Sequence, residues 1–233
     1  MWYWFFKFVV VAPIARWYVR PRWSGRENLA RTGPFLLAGN HVTMIDPVVI
    51  SLGVPRRVIF IAKQKYYSGR SLRRRALAWF LRAIGQVPID PASAAAASPG
   101  LDTAGRILRE GGVVALFPEG TRSPDGRLYR GRTGVMRLAL PLDIPVIPAV
   151  VQGTREVRLP GRPNPRRGRV SITYDAPLDL SPWADRPDDP VAWREATDAL
   201  MARIAELSGQ EYTDRYATED ERQDRDQRTG TEP

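Results

Sequence analysis

The sequence predicts an α/β fold in which a central, mostly buried β-sheet is flanked by helices. Three observations predict it. Five short apolar runs are bounded by Gly, Pro or charge, as buried strands are. Helix-like segments alternate with those runs, the pattern of an α/β sandwich. Apolar residues make up 43% and charged residues 26% of a 233-residue chain, an ordinary balance for one domain with a core and tails.

Residues 1–23 stand apart as a membrane-associating N-terminal helix. They hold nine of the 22 aromatics and no acid. Lys7 interrupts the apolar run, Pro13 weakens the helix, and Arg16 ends the uncharged stretch. A helical Met1–Ala15 would be about 22 Å long, short of the roughly 30 Å hydrocarbon core. The segment reads best as a helix that dips into one leaflet or lies on it. Packing on the core and a cleaved signal peptide are the alternatives.

Residues 24–208 form the expected folded domain. Pro34–Gly39, Val58–Ala62, Val113–Phe117, Val146–Val151 and Val170–Tyr174 read as strands. Asp46–Leu52, Ser71–Ile84, Leu101–Arg109 and Thr133–Leu140 read as helices. Asp188-Asp189-Pro190 starts a last helix, with acid at the positive dipole end and proline in the first turn. Val191, Ala199, Leu200, Ile204 and Leu207 are its expected apolar face. Residues 209–233 are polar and charged and are expected to be a disordered tail.

Charge and composition narrow the chemistry. There are 35 Lys+Arg against 25 Asp+Glu, for a net charge of +10, yet residues 209–233 are net acidic. The body is therefore strongly basic and should face phosphate, nucleic acid or acidic lipid. From Pro47 to Ile89 there are nine basic residues and no acid. Arg73-Arg74-Arg75 beside Trp79 and Phe80 suits either a bilayer interface or a solvated helix face. No nucleic-acid module is recognisable, so no nucleic-acid partner is expected. Cysteine is absent, which excludes disulfides, a thiol nucleophile and Cys-ligated metal. His41 is the only histidine, which excludes multi-His metal sites.

His41 follows a predicted strand in Gly39-Asn40-His41-Val42-Thr43-Met44-Ile45-Asp46. An imidazole is the natural general base near neutral pH, and a carboxylate can fix its tautomer. In a continuous helix His41 and Asp46 would point about 140° apart. They can meet only if His41 lies in the loop and Asp46 in the first helical turn. A second cluster, Phe117-Pro118-Glu119-Gly120-Thr121-Arg122-Ser123, follows another strand, where open α/β sheets place ligands. Gly120 permits close backbone approach, Thr121 and Ser123 supply hydroxyls, and the Arg122 fork matches phosphate. Glu119 is expected to hold that arginine or to accept a ligand hydroxyl; an ordinary turn with an exposed ion pair is the alternative.

Together, Asn40-His41-x4-Asp46 and Phe117–Ser123 resemble the glycerolipid acyltransferase family, whose best-known members are 1-acyl-sn-glycerol-3-phosphate acyltransferases. The resemblance runs from about Gly25 to Asp175. Two weaker blocks, Gly85–Asp90 and Val146–Thr154, accompany it. It implies a glycerol-3-phosphate acyltransferase-like fold and acyl transfer from acyl-CoA or acyl-carrier protein to a lysophospholipid hydroxyl. The leading acceptor is 1-acyl-sn-glycerol-3-phosphate, giving phosphatidic acid. His41 would be the general base, Asp46 its orienting carboxylate, and Asn40, Lys63, Glu119, Gly120, Thr121 and Arg122 the substrate-binding set.

No metal and no resident cofactor are implied, the acyl donor being a co-substrate. The expected location is the cytoplasmic face of the cell membrane, peripheral or monotopic, against an anionic lipid surface. Where the family commonly has a phosphate-contacting arginine after Asp90, this chain has Pro91. Arg122 then carries more of the phosphate, with Lys63, Lys65, Arg130 or Arg132 to compensate, or the acceptor is another lysolipid or glycerol 3-phosphate. A lipid ester hydrolase and a non-catalytic basic membrane binder are the rivals; the hydrolase lacks a Gly-x-Ser-x-Gly elbow.

Overall fold

A parallel strand buried on both faces shows as an unbroken apolar run, and that is how the sheet is built. The computed structural model describes residues 2–63, 86–89, 99–157 and 166–217. The strands are β1 (Arg22–Ser24), β2 (Phe35–Ala38), β3 (Val58–Lys63), β4 (Gln86–Ile89), β5 (Val113–Leu116), β6 (Leu128–Tyr129), β7 (Val146–Gln152), β8 (Ser171–Tyr174) and β9 (Tyr212–Thr213). Seven of them form one sheet in the order β1-β8-β7-β2-β5-β3-β4, and β6 pairs with β9. The five strands from β7 to β4 are mutually parallel; β8 runs antiparallel to β7, and β1 parallel to β8. All five expected strands are present, and β1, β4, β6 and β9 are additions.

The described α-helices are α1 (Trp2–Phe5), α2 (Ala12–Tyr18), α3 (Asp46–Gly53), α4 (Pro99–Arg109), α5 (Met136–Leu142) and α6 (Pro190–Ser208). The expected helix Ser71–Ile84, with its Arg73-Arg74-Arg75 block, lies outside the described residues, as does Pro91. Successive side chains of β2 alternate between the faces of the sheet. Phe35 and Leu37 join a cluster with Val49 and Ile50 of α3; Leu36 and Ala38 join one with Leu108 of α4, Met136 of α5 and Leu200 of α6. The result is a three-layer sandwich with two cores. Each fully buried Leu or Ile contributes roughly 1.5–3 kcal/mol.

Local details set the positions of the helices. Gly53 ends α3 where a β-carbon would lie 2.3 Å from both Trp23 and the Tyr174 hydroxyl, so glycine lets α3 settle onto β8. Tyr174 then donates its hydroxyl to Ile50 O. Asp189 caps α6 by accepting the Val191 N–H at 2.9 Å, as the Asp-Asp-Pro start predicts. The buried face of α6 is Ala192, Ala196, Thr197, Leu200, Met201 and Ile204, so Val191, expected inside, is exposed. Its place in the capping turn keeps it off that stripe.

The N-terminal segment both packs and protrudes. A π-helical turn, Phe6–Val11, joins α1 to α2 directly ahead of Pro13, whose ring nitrogen cannot donate to the preceding turn. Tyr3, Ala12, Ala15 and Tyr18 face the body. Lys7 interrupts the apolar run in sequence but points inward in the fold: it is 4% exposed and donates to Val54 O, with the rings of Tyr3, Trp4 and Phe8 around it. Burial pushes its ammonium down to about 8. The outer face presents Phe5, Phe8, Val9, Ile14 and Trp17, all exposed. Among the described residues, no helix is long and apolar enough to cross a membrane.

The start of the tail is also corrected. Gly209 ends α6, but residues 210–217 continue along the body: β9 pairs with β6, and Ala217 is buried. Backbone hydrogen bonding holds a stretch whose polar composition alone suggested disorder. The rest of the expected tail, 218–233, lies outside the described residues.

Candidate active site

The two motifs meet at the C-terminal edge of the parallel strands. The chain leaves β2, passes Gly39 and Asn40 and turns through His41–Ile45 into α3, so the junction is strand, loop, helix. Asp46 is the first residue of α3 and is fully buried. His41 Nδ1 lies 2.9 Å from Asp46 Oδ2. The same oxygen accepts the N–H groups of Val42 and Thr43, each at 2.7 Å. Oδ1 accepts the hydroxyls of Thr43 at 2.9 Å and Thr154 at 2.7 Å. Five donors thus converge on one carboxylate, which offsets its loss of hydration. With Nδ1–H donating to Asp46, the neutral ring keeps Nε2 as a proton acceptor. The ring stacks on Phe117, with centroids 3.9 Å apart and planes 12° apart.

Glu119 links the second motif to the first. It is 2% exposed, and its two oxygens accept the backbone N–H of His41 at 2.9 Å and of Tyr129 at 3.1 Å. A return bond runs from Ser123 N–H to His41 O at 2.7 Å. Burial pushes the Glu119 carboxyl up to about 7, against the opposing pull of the two backbone donors. Gly120 then turns the chain with φ +75, a left-handed conformation. A β-carbon there would sit 3.0 Å from Arg132 Nε, so the arginine stem packs directly on the turn.

The expected substrate-binding residues separate into two groups. Gly120 and Arg122 are exposed and Thr121 is half-buried, so this arm of the second motif is accessible. Asn40 and Glu119 are not. Asn40 exchanges hydrogen bonds with Val151 on β7, accepting its N–H at 2.8 Å and donating to its carbonyl at 2.9 Å. A second Asn40 donation, 2.7 Å, reaches Gln210. Glu119 is consumed by backbone donors and holds neither Arg122 nor an open face. Both residues brace the site, because burial at the strand ends demands that every polar group find a protein partner. Lys63 is the last residue of β3, in register with Ile89 of β4; its side chain lies outside what is described. Lys65 also lies outside the described residues, and Arg130 and Arg132 flank Gly131 beside the motif.

Sequence reasoning missed Thr154 and Gln210. Both arrive from far along the chain, 108 residues from Asp46 and 170 from Asn40. Thr154 closes the Val146–Thr154 block, but nothing local aims its hydroxyl at Asp46.

Comparisons with known proteins bear on the fold and the family. Over 184 residues the chain is 27% identical to a 1-acyl-sn-glycerol-3-phosphate acyltransferase of Bacillus subtilis, covering 78% of this chain and 85% of that one. Over 168 residues it is 29% identical to the enzyme of that name from Limnanthes alba, covering 71% of this chain and 57% of the longer plant protein. The fold superposes on the crystal structure of the 1-acyl-sn-glycerophosphate (LPA) acyltransferase PlsC from Thermotoga maritima with a TM-score of 0.62 and 23% identity, over 86% of this chain and 80% of that one. That likeness shows a shared architecture. A family model described as Acyltransferase matches residues 20–152, a span that contains His41, Asp46 and the whole Phe117–Ser123 loop; by that match, over more than half its length, the chain belongs to the acyltransferase family.

Proposed function

We propose that the protein transfers a fatty acyl group from acyl-CoA or acyl-carrier protein to the free hydroxyl of 1-acyl-sn-glycerol 3-phosphate, giving phosphatidic acid. The carrying observation is the 2.9 Å contact between His41 Nδ1 and Asp46 Oδ2, tied through Glu119 to the loop that exposes Arg122. The names of the Bacillus and Limnanthes relatives support the acceptor.

In this reading His41 Nε2 takes the proton of the acceptor hydroxyl as its oxygen attacks the thioester carbonyl. The new C–O bond forms, the C–S bond breaks, and the imidazolium returns the proton to the departing thiolate. Asp46 holds the ring tautomer and offsets the imidazolium charge. General-base assistance is typically worth about 10²–10⁴-fold. Positioning and oxyanion stabilisation supply the rest. Arg122, with Gly120, Thr121 and Arg132, receives the acceptor phosphate and so sets the distance from hydroxyl to Nε2. Lys63, at the end of β3, is a further candidate cation. The thioester is already activated, so transfer is direct and needs neither metal nor resident cofactor.

The apolar outer face of the N-terminal helix supports placement on a membrane, at the cytoplasmic face of the cell membrane in a peripheral or monotopic mode. An anionic lipid surface suits the basic body. Purified protein, given a labelled acyl donor with and without 1-acyl-sn-glycerol 3-phosphate, should form phosphatidate only with the acceptor. Arg122→Ala should raise the acceptor KM about tenfold or more, as loss of a charge-assisted contact does. Free fatty acid as the sole product, or full turnover by His41→Ala, would overturn the reading.

A further inference from the structure

Asn40 and Gly126 sit on different loops of the site, and one side chain joins them. Gln210 accepts from Asn40 Nδ2 at 2.7 Å and donates through Nε2 to Gly126 O at 2.7 Å. Asn40 precedes His41. Gly126 belongs to the loop between Ser123, bonded to His41 O, and Tyr129, bonded to Glu119. The chain beyond Gln210 continues beside the strand that follows that loop: Glu211 O accepts from Leu128 N at 2.8 Å, and Arg215 O from Arg130 N at 3.0 Å. The Tyr216 ring then comes to rest 4.9 Å from the guanidinium carbon of Arg132 and 5.7 Å from that of Arg130. Asp214 pairs with Arg130 at 3.4 Å.

We infer that residues 208–217 are a strap belonging to the active site, in which Gln210 fixes the catalytic loop against the anion-binding loop and Tyr216 positions Arg132 beside Gly120. Both are positioning residues: each acts through another group. The Tyr216 ring faces both guanidinium groups and lies nearer that of Arg132, so it can orient that side chain by cation–π attraction. The strap also reaches Gln152 at the end of β7, whose side chain donates to Ser208 O at 2.8 Å, so it is anchored on the sheet before it crosses the loops.

The inference rests on the acyl-transfer reading, in which Arg122 and Arg132 receive the acceptor phosphate. Its test is steady-state kinetics on the full chain with 1-acyl-sn-glycerol 3-phosphate varied at saturating donor. Tyr216→Ala should raise the acceptor KM about three- to tenfold, the scale of a cation–π contact, with kcat within about twofold of the parent. Tyr216→Phe should restore the parental KM, since the ring alone suffices. Gln210→Ala should lower kcat about tenfold, the scale of two lost hydrogen bonds that align the loops. Should Tyr216→Ala fail to fold, Tyr216→Leu keeps an apolar filler and reads the same KM. An unchanged KM in the folded Tyr216→Ala or Tyr216→Leu variant would overturn the strap's role, as would a Tyr216→Phe defect equal to that of alanine. His41→Ala assayed alongside separates the two readings. No transfer by the parent sinks the acyl-transfer reading itself and full activity of His41→Ala sinks the general-base role, whereas loss there with parental KM in the Tyr216 variants sinks only the strap.

Discussion

Glu119 reaches His41 through the main chain: its Oε1 accepts the His41 N–H at 2.9 Å, while its Oε2 accepts the N–H of Tyr129. One buried carboxylate therefore fixes the height of the His41 loop and the start of the Tyr129–Arg132 segment at once. The arrangement explains how two motifs far apart in sequence act as one unit. His41 is not anchored by its own side-chain contact alone but also by a backbone clamp from the other motif.

Substituting Glu119→Gln should therefore damage both stability and turnover. A glutamine turns one acceptor into a donor facing a backbone N–H, which costs about 1–3 kcal/mol for the group left unpaired. The pH dependence gives a second readout. Burial raises the Glu119 carboxyl from 4.5 to about 7, so between those values the folded state holds a proton that the unfolded chain has lost. Its contribution to stability is fully present below about 4.5 and is lost as pH rises through about 7, on the order of 3 kcal/mol in all. Denaturant midpoints of the parent and Glu119→Gln, compared at pH 5 and 7.5, should converge toward the higher pH. Parallel profiles would contradict the buried, protonated carboxyl.

Asp46→Asn should lower kcat by about 10²–10⁴-fold with a smaller change in acceptor KM. The amide nitrogen of asparagine cannot accept, so at least one of the donors converging on Asp46 loses its partner and the ring tautomer is released. Thr154→Val removes only one donor, the 2.7 Å hydroxyl contact to Oδ1. Its effect should be about tenfold or less in kcat, with the pH–rate profile displaced. A Thr154→Val variant as impaired as Asp46→Asn would show that the threonine does more than brace the carboxylate.

How far the sequence could be read follows from which signals are local. The apolar runs that became β2, β3, β5, β7 and β8 were visible because buried strands carry no polar face to blur them. Strands β6 and β9 are two residues each, too short for any periodicity to show. The His41–Asp46 pairing was legible because its spacing permits contact only at a strand–loop–helix junction. Motif membership does not tell direction: the motifs put Asn40 and Glu119 among the substrate-binding residues, whereas both side chains bond to the protein. Lys7 interrupts the apolar run in sequence without interrupting the outer face, because a linear sequence does not show that a long side chain folds inward to a carbonyl. Gln210 and Tyr216 left no trace, since their partners lie in loops brought close only by the finished sheet.

Lys7 makes a prediction at the alkaline end. Its ammonium is pushed from 10.5 down to about 8, so between those values the folded state has released a proton that the unfolded chain still binds. Stability contributed by this group therefore rises with pH through that window, by up to about 3 kcal/mol. Lys7→Met keeps the stem volume and removes the titration. Denaturation at pH 7.5 and 10 should show the parent gaining stability relative to Lys7→Met. Two curves that move together would mean that the ammonium is solvated.

The inward turn of Lys7 is what leaves the outer helix face unbroken, and that face should be the part that holds the protein on lipid. Phe8 is 53% exposed, Ile14 61% and Trp17 60%, and the Arg167 guanidinium lies over the Trp17 ring at 3.6 Å. The ring and the arginine together match the depth of headgroups and phosphates. Deleting residues 1–23 would also remove Tyr18, Val19 and most of β1, and so would confound binding with folding. Val9→Glu combined with Ile14→Glu instead changes only exposed positions, Val9 being 58% exposed, and keeps the Phe8 ring beside Lys7. Each replacement removes an apolar contact worth roughly 1.5–3 kcal/mol when buried in hydrocarbon and adds a charge that repels anionic lipid. Co-sedimentation with vesicles containing anionic phospholipid should fall at least about tenfold, while thermal stability stays near that of the parent. Full vesicle binding by this double variant would move the membrane contact to the basic surface elsewhere, and a parallel loss of binding in high salt would identify it.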